Sequence, residues 1–165
     1  MKKLYTLLFF SFALTLNAQN LAVNPTFADG LTGWNAGFSS KYTLPALVTT
    51  DGNDDKNSVM YDLPTATTGF YQEIPVAGGK PLEVSFYYKA TGDDTDGRIW
   101  SNYTDADGVV VYQAGTIDDA TPDPLRNNNE YLAPATTWTK HTVTVTTPAN
   151  AVKFTLAVRA YKNGT

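Results

Sequence analysis

Apolar residues occupy every second position in several segments of the chain, and this alternation constrains the fold more than any other feature of the sequence. The longest runs lie at 82–88, 142–146 and 152–158. Successive side chains of a β-strand point to opposite faces, so each run predicts a strand with one buried face. Shorter strands are predicted at 44–49, 57–62, 69–76, 97–103 and 108–113.

The predicted strands are separated by strong turn signals. Asp51-Gly52-Asn53, Ala77-Gly78-Gly79 and Asp107-Gly108 have the residue types that tight turns favour. No segment has apolar residues at helical spacing together with helix caps. Eight or nine short strands joined by such turns predict an all-β fold, an antiparallel β-sandwich of jelly-roll type.

The first eighteen residues have the pattern of a secretory signal peptide. Lys2 and Lys3 precede an apolar run that ends at Leu16, and Ala18 supplies the small residue of a cleavage site. The sequence therefore predicts a secreted or cell-surface protein, with residues 19–165 forming one domain of about 147 residues. Because the chain has no cysteine, a hydrophobic core has to stabilise this domain without disulfides.

Charge excludes two classes of partner. Without Lys2 and Lys3, ten basic residues face sixteen acidic ones, a net charge of −6. Nucleic acids and anionic membranes are bound largely through clustered lysine and arginine. An acidic chain without a basic run in its sequence is therefore expected to bind neither.

Catalytic motifs are missing from the sequence. There is no cysteine, and His141 is the one histidine, so thiol chemistry and histidine-based metal sites are not expected. The three glutamates show no spacing that indicates the facing carboxylates of a glycosidase. A binding or structural protein is favoured over an enzyme.

Two segments at the ends of the domain resemble CenC-like carbohydrate-binding modules. They are 20–34, NLAVNPTFADGLTGW, and 136–161, TTWTKHTVTVTTPANAVKFTLAVRAY. The resemblance implies a galactose-binding-like jelly roll that lacks its last strand, and therefore a fragment of a longer chain with additional domains. Ala28 stands where that family often has a glutamate that helps to hold calcium. No cofactor is predicted, and a structural Ca²⁺ near Asp29 or Asp51 stays an open hypothesis.

The segment 97–103 contains the candidate binding residues. Arg98, Trp100 and Asn102 share one face of the predicted strand. If Ile99 faces the core, this row forms part of a sugar-binding surface, because aromatic rings cover the apolar faces of sugars and planar polar groups bind their hydroxyls. If Trp100 faces the core, the row is structural. The residues predicted to flank a binding row are Tyr87, Tyr112, Arg159 and Tyr161.

Two further tryptophans and one long irregular stretch also lie within the domain. Trp34 and Trp138 each lie at the entry to a strand, and we expect both to pack in the core. The irregular stretch 114–136 contains Arg126, three asparagines and Tyr131, and it is either a binding loop or a solvated one.

The sequence therefore predicts a non-catalytic carbohydrate-binding module that targets a secreted protein, or an enzyme linked to it, to a polysaccharide. The alternative is a structural or adhesive β-sandwich domain of a cell-surface protein without a glycan site. Fold class alone does not separate the two, because this type of sandwich performs both roles.

Overall fold

The computed structural model describes residues 19–92, 97–113, 116–118 and 120–161. The predicted signal peptide, 1–18, lies outside the described residues. Within these ranges no helix is long and apolar enough to cross a membrane. The described elements are β1 (Asn35–Ala36), β2 (Ala46–Val48), β3 (Ser58–Met60), β4 (Thr68–Pro75), β5 (Pro81–Ala90), β6 (Gly97–Ile99), β7 (Asn102–Thr104), β8 (Val110–Val111), β9 (Ala135–Thr146) and β10 (Lys153–Ala160), with short 3₁₀ turns at Asn53–Asp55 and Pro124–Asn129.

The larger sheet is organised around β10. One edge of β10 pairs with β4, which in turn pairs with β1; the other edge pairs with β6 and then β7, and β8 lies outside β7. Every pair is antiparallel. The smaller layer is the pair β5–β9, and β2–β3 forms a separate hairpin.

The hydrophobic core lies between the β10 sheet and the β5–β9 pair. Val84 and Val145 come from β5 and β9, while Ile74, Tyr103 and Phe154 come from the β10 sheet. Each is at most 9% exposed. Two antiparallel layers with such a shared core form a β-sandwich, which confirms the predicted fold class.

The register of the core strands follows the alternation in the sequence, with one departure. Phe154 is buried and Leu156 packs against the core, as predicted, but Val152 is 45% exposed, and β10 begins only at Lys153. Val152 instead extends the turn, where its backbone N–H donates to the carbonyl of Thr104. The predicted core role of Val152 is therefore wrong.

The predicted strand 97–103 is interrupted in its middle. The N–H of Trp100 still donates to the carbonyl of Ala157 at 2.8 Å. The N–H of Ala157, however, donates to the side-chain Oγ of Ser101 at 3.1 Å instead of to a backbone carbonyl. A fully buried serine hydroxyl thus replaces one rung of the ladder, and the chain forms β6 and β7 without changing its register on β10.

The N-terminal segment is attached to β4 by one buried glutamine. The side-chain oxygen of Gln72 accepts from the N–H of Val23 at 2.7 Å, and its Nε2 donates to the carbonyls of Val23 and Gly33. Trp34 then packs between the rings of Phe27 and Phe70, with centroids 5.4 Å and 5.2 Å away. Trp34 thus packs against two aromatic rings, but it is partly exposed and lies outside the core cluster in which it was expected.

His141 lies on the inner side of β9, opposite Phe86 on β5. Its ring centroid lies 5.3 Å from that of Phe86, and its Nε2 is buried without a hydrogen-bond partner among the described residues. Burial lowers the pKa of His141 from its usual 6.5. Protonation of His141 would place a charge against the core.

We expect this histidine to make stability depend on pH. Since its pKa is lower in the folded state, the unfolded chain binds the proton first as the pH falls. The stabilisation is complete above about pH 6.5 and is lost between that value and the lower folded pKa. Urea unfolding at about pH 7.5 and about pH 5.5 should show this loss, and His141→Gln should remove it. An unchanged pH dependence in His141→Gln would contradict the assignment.

Candidate functional site

Trp100 lies on the face of the β10 sheet that points away from the core. Ile99 and Tyr103 are each 1% exposed and face inward, so Arg98, Trp100 and Asn102 share the opposite face. In register, Trp100 lies beside Ala157, and Arg98 lies opposite Arg159. Trp100 is partly exposed and Ala157 beneath this face is buried. Of the two orientations considered for the 97–103 segment, the structure has the one in which Ile99 faces the core and Trp100 faces away from it.

Three guanidinium groups surround the indole of Trp100. The Cζ atoms of Arg159, Arg98 and Arg126 lie 4.1 Å, 5.1 Å and 5.3 Å from its ring centroid. These are cation–π distances, at which the electron-rich ring face attracts a positive charge. The chain contains only these three arginines, so all of its guanidinium groups meet at one tryptophan. We call Trp100, the three arginines and Tyr131 the Trp100 cluster.

The irregular loop 116–134 supplies two members of the cluster. Leu125 anchors this loop in the core and is 1% exposed, which fixes the adjacent Arg126 against Trp100. The carboxylate of Asp123 accepts from the N–H of Leu125 at 2.9 Å and lies 3.6 Å from Nε of Arg126. Leu125 and Arg126 of this loop are therefore packed against the domain, so the solvated interpretation does not hold for these two residues.

The same loop contacts Arg98. Nη2 of Arg98 donates to the backbone carbonyl of Asn129, and its Cζ lies 5.2 Å from the ring centroid of Tyr131. Tyr131 in turn meets the ring of Tyr161 edge-on, with centroids 5.2 Å apart. Two arginines and two tyrosines from distant parts of the sequence thus form one continuous surface with Trp100.

The remaining predicted site residues lie further from the cluster. Asn102 is on the same face of the sheet, opposite Thr155. Tyr112 directly follows β8, the strand beyond β7. Tyr87 lies on β5 of the other layer and is 45% exposed. It points away from the core, on the face of β5 opposite to that of Val84. The structure therefore brings Arg98, Trp100, Arg159 and Tyr161 together and separates Tyr87 from them.

Trp138 forms a second group on the outer side of the β5–β9 layer. Its Nε1 donates to Oδ1 of Asp51 at 2.9 Å, and Nζ of Lys89 lies 4.9 Å from its ring centroid. The expected core position of Trp138 is therefore wrong. Lys89 also donates to both carboxylate oxygens of Asp51, and these hydrogen bonds, together with that from Trp138, lower the pKa of Asp51.

Neither candidate calcium ligand belongs to a group of metal-binding side chains. Among the residues that the structure describes, no three or more His, Cys, Asp or Glu side chains come together in a way that could hold a metal ion. The carboxylate of Asp51 is occupied by Lys89 and Trp138. The backbone N–H of Asp29 donates to Oδ1 of Asn24 at 3.1 Å. Among the described residues, the acidic side chains therefore give no support for calcium at either aspartate.

Comparison with known proteins gives similarity in structure but not in sequence. No protein-family model and no curated protein matches the chain. The enzymatically active domain of tailspike protein 4 from bacteriophage CBA120 is similar over 88% of this chain and 20% of that chain, with a TM-score of 0.65 and 14% identity. This chain thus spans about a fifth of the tailspike domain's length.

Two carbohydrate-binding modules are similar over almost their whole length. One is described as family 16 carbohydrate-binding module-2, with a TM-score of 0.54 and 20% identity over 88% of this chain and 98% of that chain. The other, a family 61 module in complex with β-1,4-galactotriose, has a TM-score of 0.51 and 16% identity over 89% and 92%. These similarities confirm the jelly-roll β-sandwich; the CenC-like family itself is not confirmed by them.

Proposed function

We propose that this chain is a non-catalytic carbohydrate-binding module that binds polysaccharide through the Trp100 cluster. The observation that carries the proposal is the position of two partly exposed arginines, Arg98 and Arg159, on one partly exposed tryptophan, with the buried Arg126 beside them, on the outward face of a jelly roll. Guanidinium groups donate hydrogen bonds to sugar oxygens, and aromatic rings cover sugar C–H groups. Support comes from the fold, which is similar to that of two carbohydrate-binding modules, one of them in complex with β-1,4-galactotriose.

The surroundings of the cluster favour binding over hydrolysis. Glycosidases place two carboxyl groups on either side of the scissile bond. Asp123, the carboxylate beside Arg126, is only 2% exposed and is occupied by the N–H of Leu125 and the guanidinium. His141 is packed against Phe86 on the inner side of the other layer. Neither group is placed to transfer a proton to a bound sugar.

The biological role that we propose is targeting. Export directed by residues 1–18 would place the domain outside the cell, where polysaccharides occur. Binding to an insoluble or polymeric glycan would then raise the local concentration of whatever the chain is linked to, without any chemistry of its own. Linked domains and the secreted location are parts of this proposal.

The first test is affinity electrophoresis of the chain from residue 19 onward through gels that contain soluble polysaccharides. Trp100→Ala should lower the affinity by about 2 kcal/mol or more, roughly 30-fold, because it removes the central ring on which the guanidinium groups are stacked, and central residues typically dominate a binding surface. Trp138→Ala is the matched control, since Trp138 is also partly exposed and contacts a cation, but lies on the other layer.

The control separates the possible outcomes. Loss of retardation in Trp100→Ala alone, with a cooperative thermal transition, supports the Trp100 cluster as the site. Loss in Trp138→Ala alone moves the site to the β5–β9 surface. Absence of retardation by every glycan contradicts the proposed function and favours the structural or adhesive domain.

A further inference from the structure

The Trp100 cluster concentrates positive charge on a protein that is acidic overall. The chain has a formal net charge of −4 and an isoelectric point near 4.8, yet its three arginines lie within 5.3 Å of one ring centroid. Arginine is usually matched with carboxylate or phosphate, because its planar fork of donors fits those groups. The ligands that this cluster can bind therefore depend on how the positive charge of its arginines is neutralised.

Neutralisation within the described residues is incomplete. Arg126 lies beside Asp123, but the ion pairs of the described residues include no carboxylate for Arg98 or Arg159. Arg98 instead donates to a neutral carbonyl, that of Asn129. The acidic side chains that do form ion pairs elsewhere, Asp51 and Glu73, are bound to lysines. Arg98 and Arg159 thus both lie against Trp100 without an ion pair to any carboxylate of the described residues.

The geometry of Arg159 shows which of its donors are available. Its Nε is enclosed and has no hydrogen-bond partner among the described residues, while the side chain as a whole is partly exposed. Gly69 lies opposite Arg159 on β4, and a Cβ at that position would lie 3.3 Å from Cγ of Arg159. Gly69 therefore leaves room for the Arg159 stem to lie close to β4, and the guanidinium reaches Trp100 from there.

Arg159 also changes what Trp100 can offer to a ligand. Its Cζ lies 4.1 Å from the ring centroid, so the guanidinium is stacked on the indole and lies nearer to it than the other two arginines. The chemistry exposed at this point is that of planar N–H donors with a positive charge. Trp100 acts here as a positioning residue that holds the guanidinium groups by cation–π attraction.

From these observations we infer that the ligand of the Trp100 cluster is an acidic polysaccharide, bound through its carboxylate or sulfate groups. This inference rests on the proposed carbohydrate-binding function and names its substrate class. Guanidinium and carboxylate or sulfate form charge-assisted, often bidentate hydrogen bonds, which are about twice as strong as neutral ones. Arg98 and Arg159, opposite each other on neighbouring strands, would bind the anionic group, and Tyr131 and Tyr161 would contact the sugar rings beside it.

The test compares glycans that differ only in charge. The probes are polygalacturonate with its methyl ester, and carrageenan with its chemically desulfated form; the two pairs distinguish carboxylate from sulfate. Calorimetric titration of the chain from residue 19 onward should give at least about tenfold tighter binding to one acidic member than to its neutral counterpart. The preference should weaken when ionic strength rises from about 0.05 M to about 0.5 M.

Variants assign the preference to the arginines. Arg159→Gln should reduce the acidic preference to less than about threefold, and Arg159→Lys should restore it in part, because lysine keeps the charge but not the planar fork. Lys140→Gln is the matched control, with the same change in charge at an exposed position of β9 on the other layer. It should leave the preference unchanged, and all three variants should retain a cooperative thermal transition.

Each result is decisive. Equal affinity for charged and neutral glycans overturns the inference while the proposed function stands; neutralisation of the arginines by carboxylates of the chain itself would give this result. An acidic preference that persists in Arg159→Gln overturns the assignment to this cluster. No binding to any of the four glycans or to a neutral panel overturns both the inference and the proposed function.

Discussion

Replacing Phe154 by alanine is expected to lower the free energy of unfolding by about 3–5 kcal/mol. Phe154 is 2% exposed and lies on β10, the strand that joins β4 to β7 in the larger sheet. Its ring packs 5.4 Å from the ring of Tyr103, and both belong to the core shared with the β5–β9 layer. Truncation removes buried apolar surface and leaves a cavity that strands on both sides of β10 cannot close.

Urea unfolding provides the measurement, with Val152→Ala as the matched control. Val152 lies two residues earlier in the chain but is 45% exposed. Its truncation should change the free energy of unfolding by no more than about 0.5 kcal/mol, as for most surface positions. Equal destabilisation by the two variants would show that the core does not lie between the two layers as described.

The fold could be predicted from the sequence because apolar residues at every second position identify both the strand and its buried face. A strand with one buried face admits one register, since a slip by one residue would turn its apolar side chains outward. Val84, Val145 and Phe154 are buried as that rule requires. The rule fails where a turn interrupts the pattern, which explains why Val152 is exposed.

Only the strand residues of the candidate site could be predicted from the sequence, and their contacts with the loop could not. Arg98 and Trp100 are two residues apart on one strand, so their common face is a matter of local geometry. The carbonyl of Asn129 that receives a hydrogen bond from Arg98 is 31 residues away in the chain, in a loop without periodicity. No sequence pattern relates such positions, because the loop is placed by a single buried anchor, Leu125.

Trp138 was predicted to lie in the core but lies on the outer side of the β5–β9 layer. An aromatic residue at a strand entry suggests burial, which is the average behaviour of tryptophan. In the structure its indole N–H donates to Asp51, which is 87 residues away in the chain. Its ring contacts the ammonium group of Lys89 on the neighbouring strand. A polar partner for the ring nitrogen and a cation on the ring allow tryptophan to lie at a surface, and both partners come from outside the local sequence.

The loop that completes the Trp100 cluster should depend on one buried carboxylate. Asp123→Ala is expected to lower the free energy of unfolding by about 3–5 kcal/mol, the usual cost of removing one partner of a buried ion pair. Asp123 and Arg126 are 2% and 1% exposed, with 3.6 Å between Oδ2 and Nε. The substitution also removes the acceptor for the N–H of Leu125 at the start of the 3₁₀ turn.

Asparagine at the same position separates the two contributions. Asp123→Asn keeps an oxygen that can accept from Leu125, so it should be milder than Asp123→Ala by about 1 kcal/mol, the typical value of such a cap. Asp118→Asn is the control for charge, because Asp118 is exposed and accepts from Ala120 and Thr121 in the same loop. Urea unfolding of the three variants checks the order.

The same variants connect stability with binding. If Asp123 fixes the loop, its removal should displace Arg126, Asn129 and Tyr131 from Trp100, and glycan affinity should fall even where the β-sandwich still folds. Asp118→Asn should leave the affinity unchanged, since its carboxylate holds the outer part of the loop rather than Arg126. Full affinity in Asp123→Ala would mean that Arg98, Arg159 and Trp100 bind the ligand without the loop. The site would then belong to the strands alone.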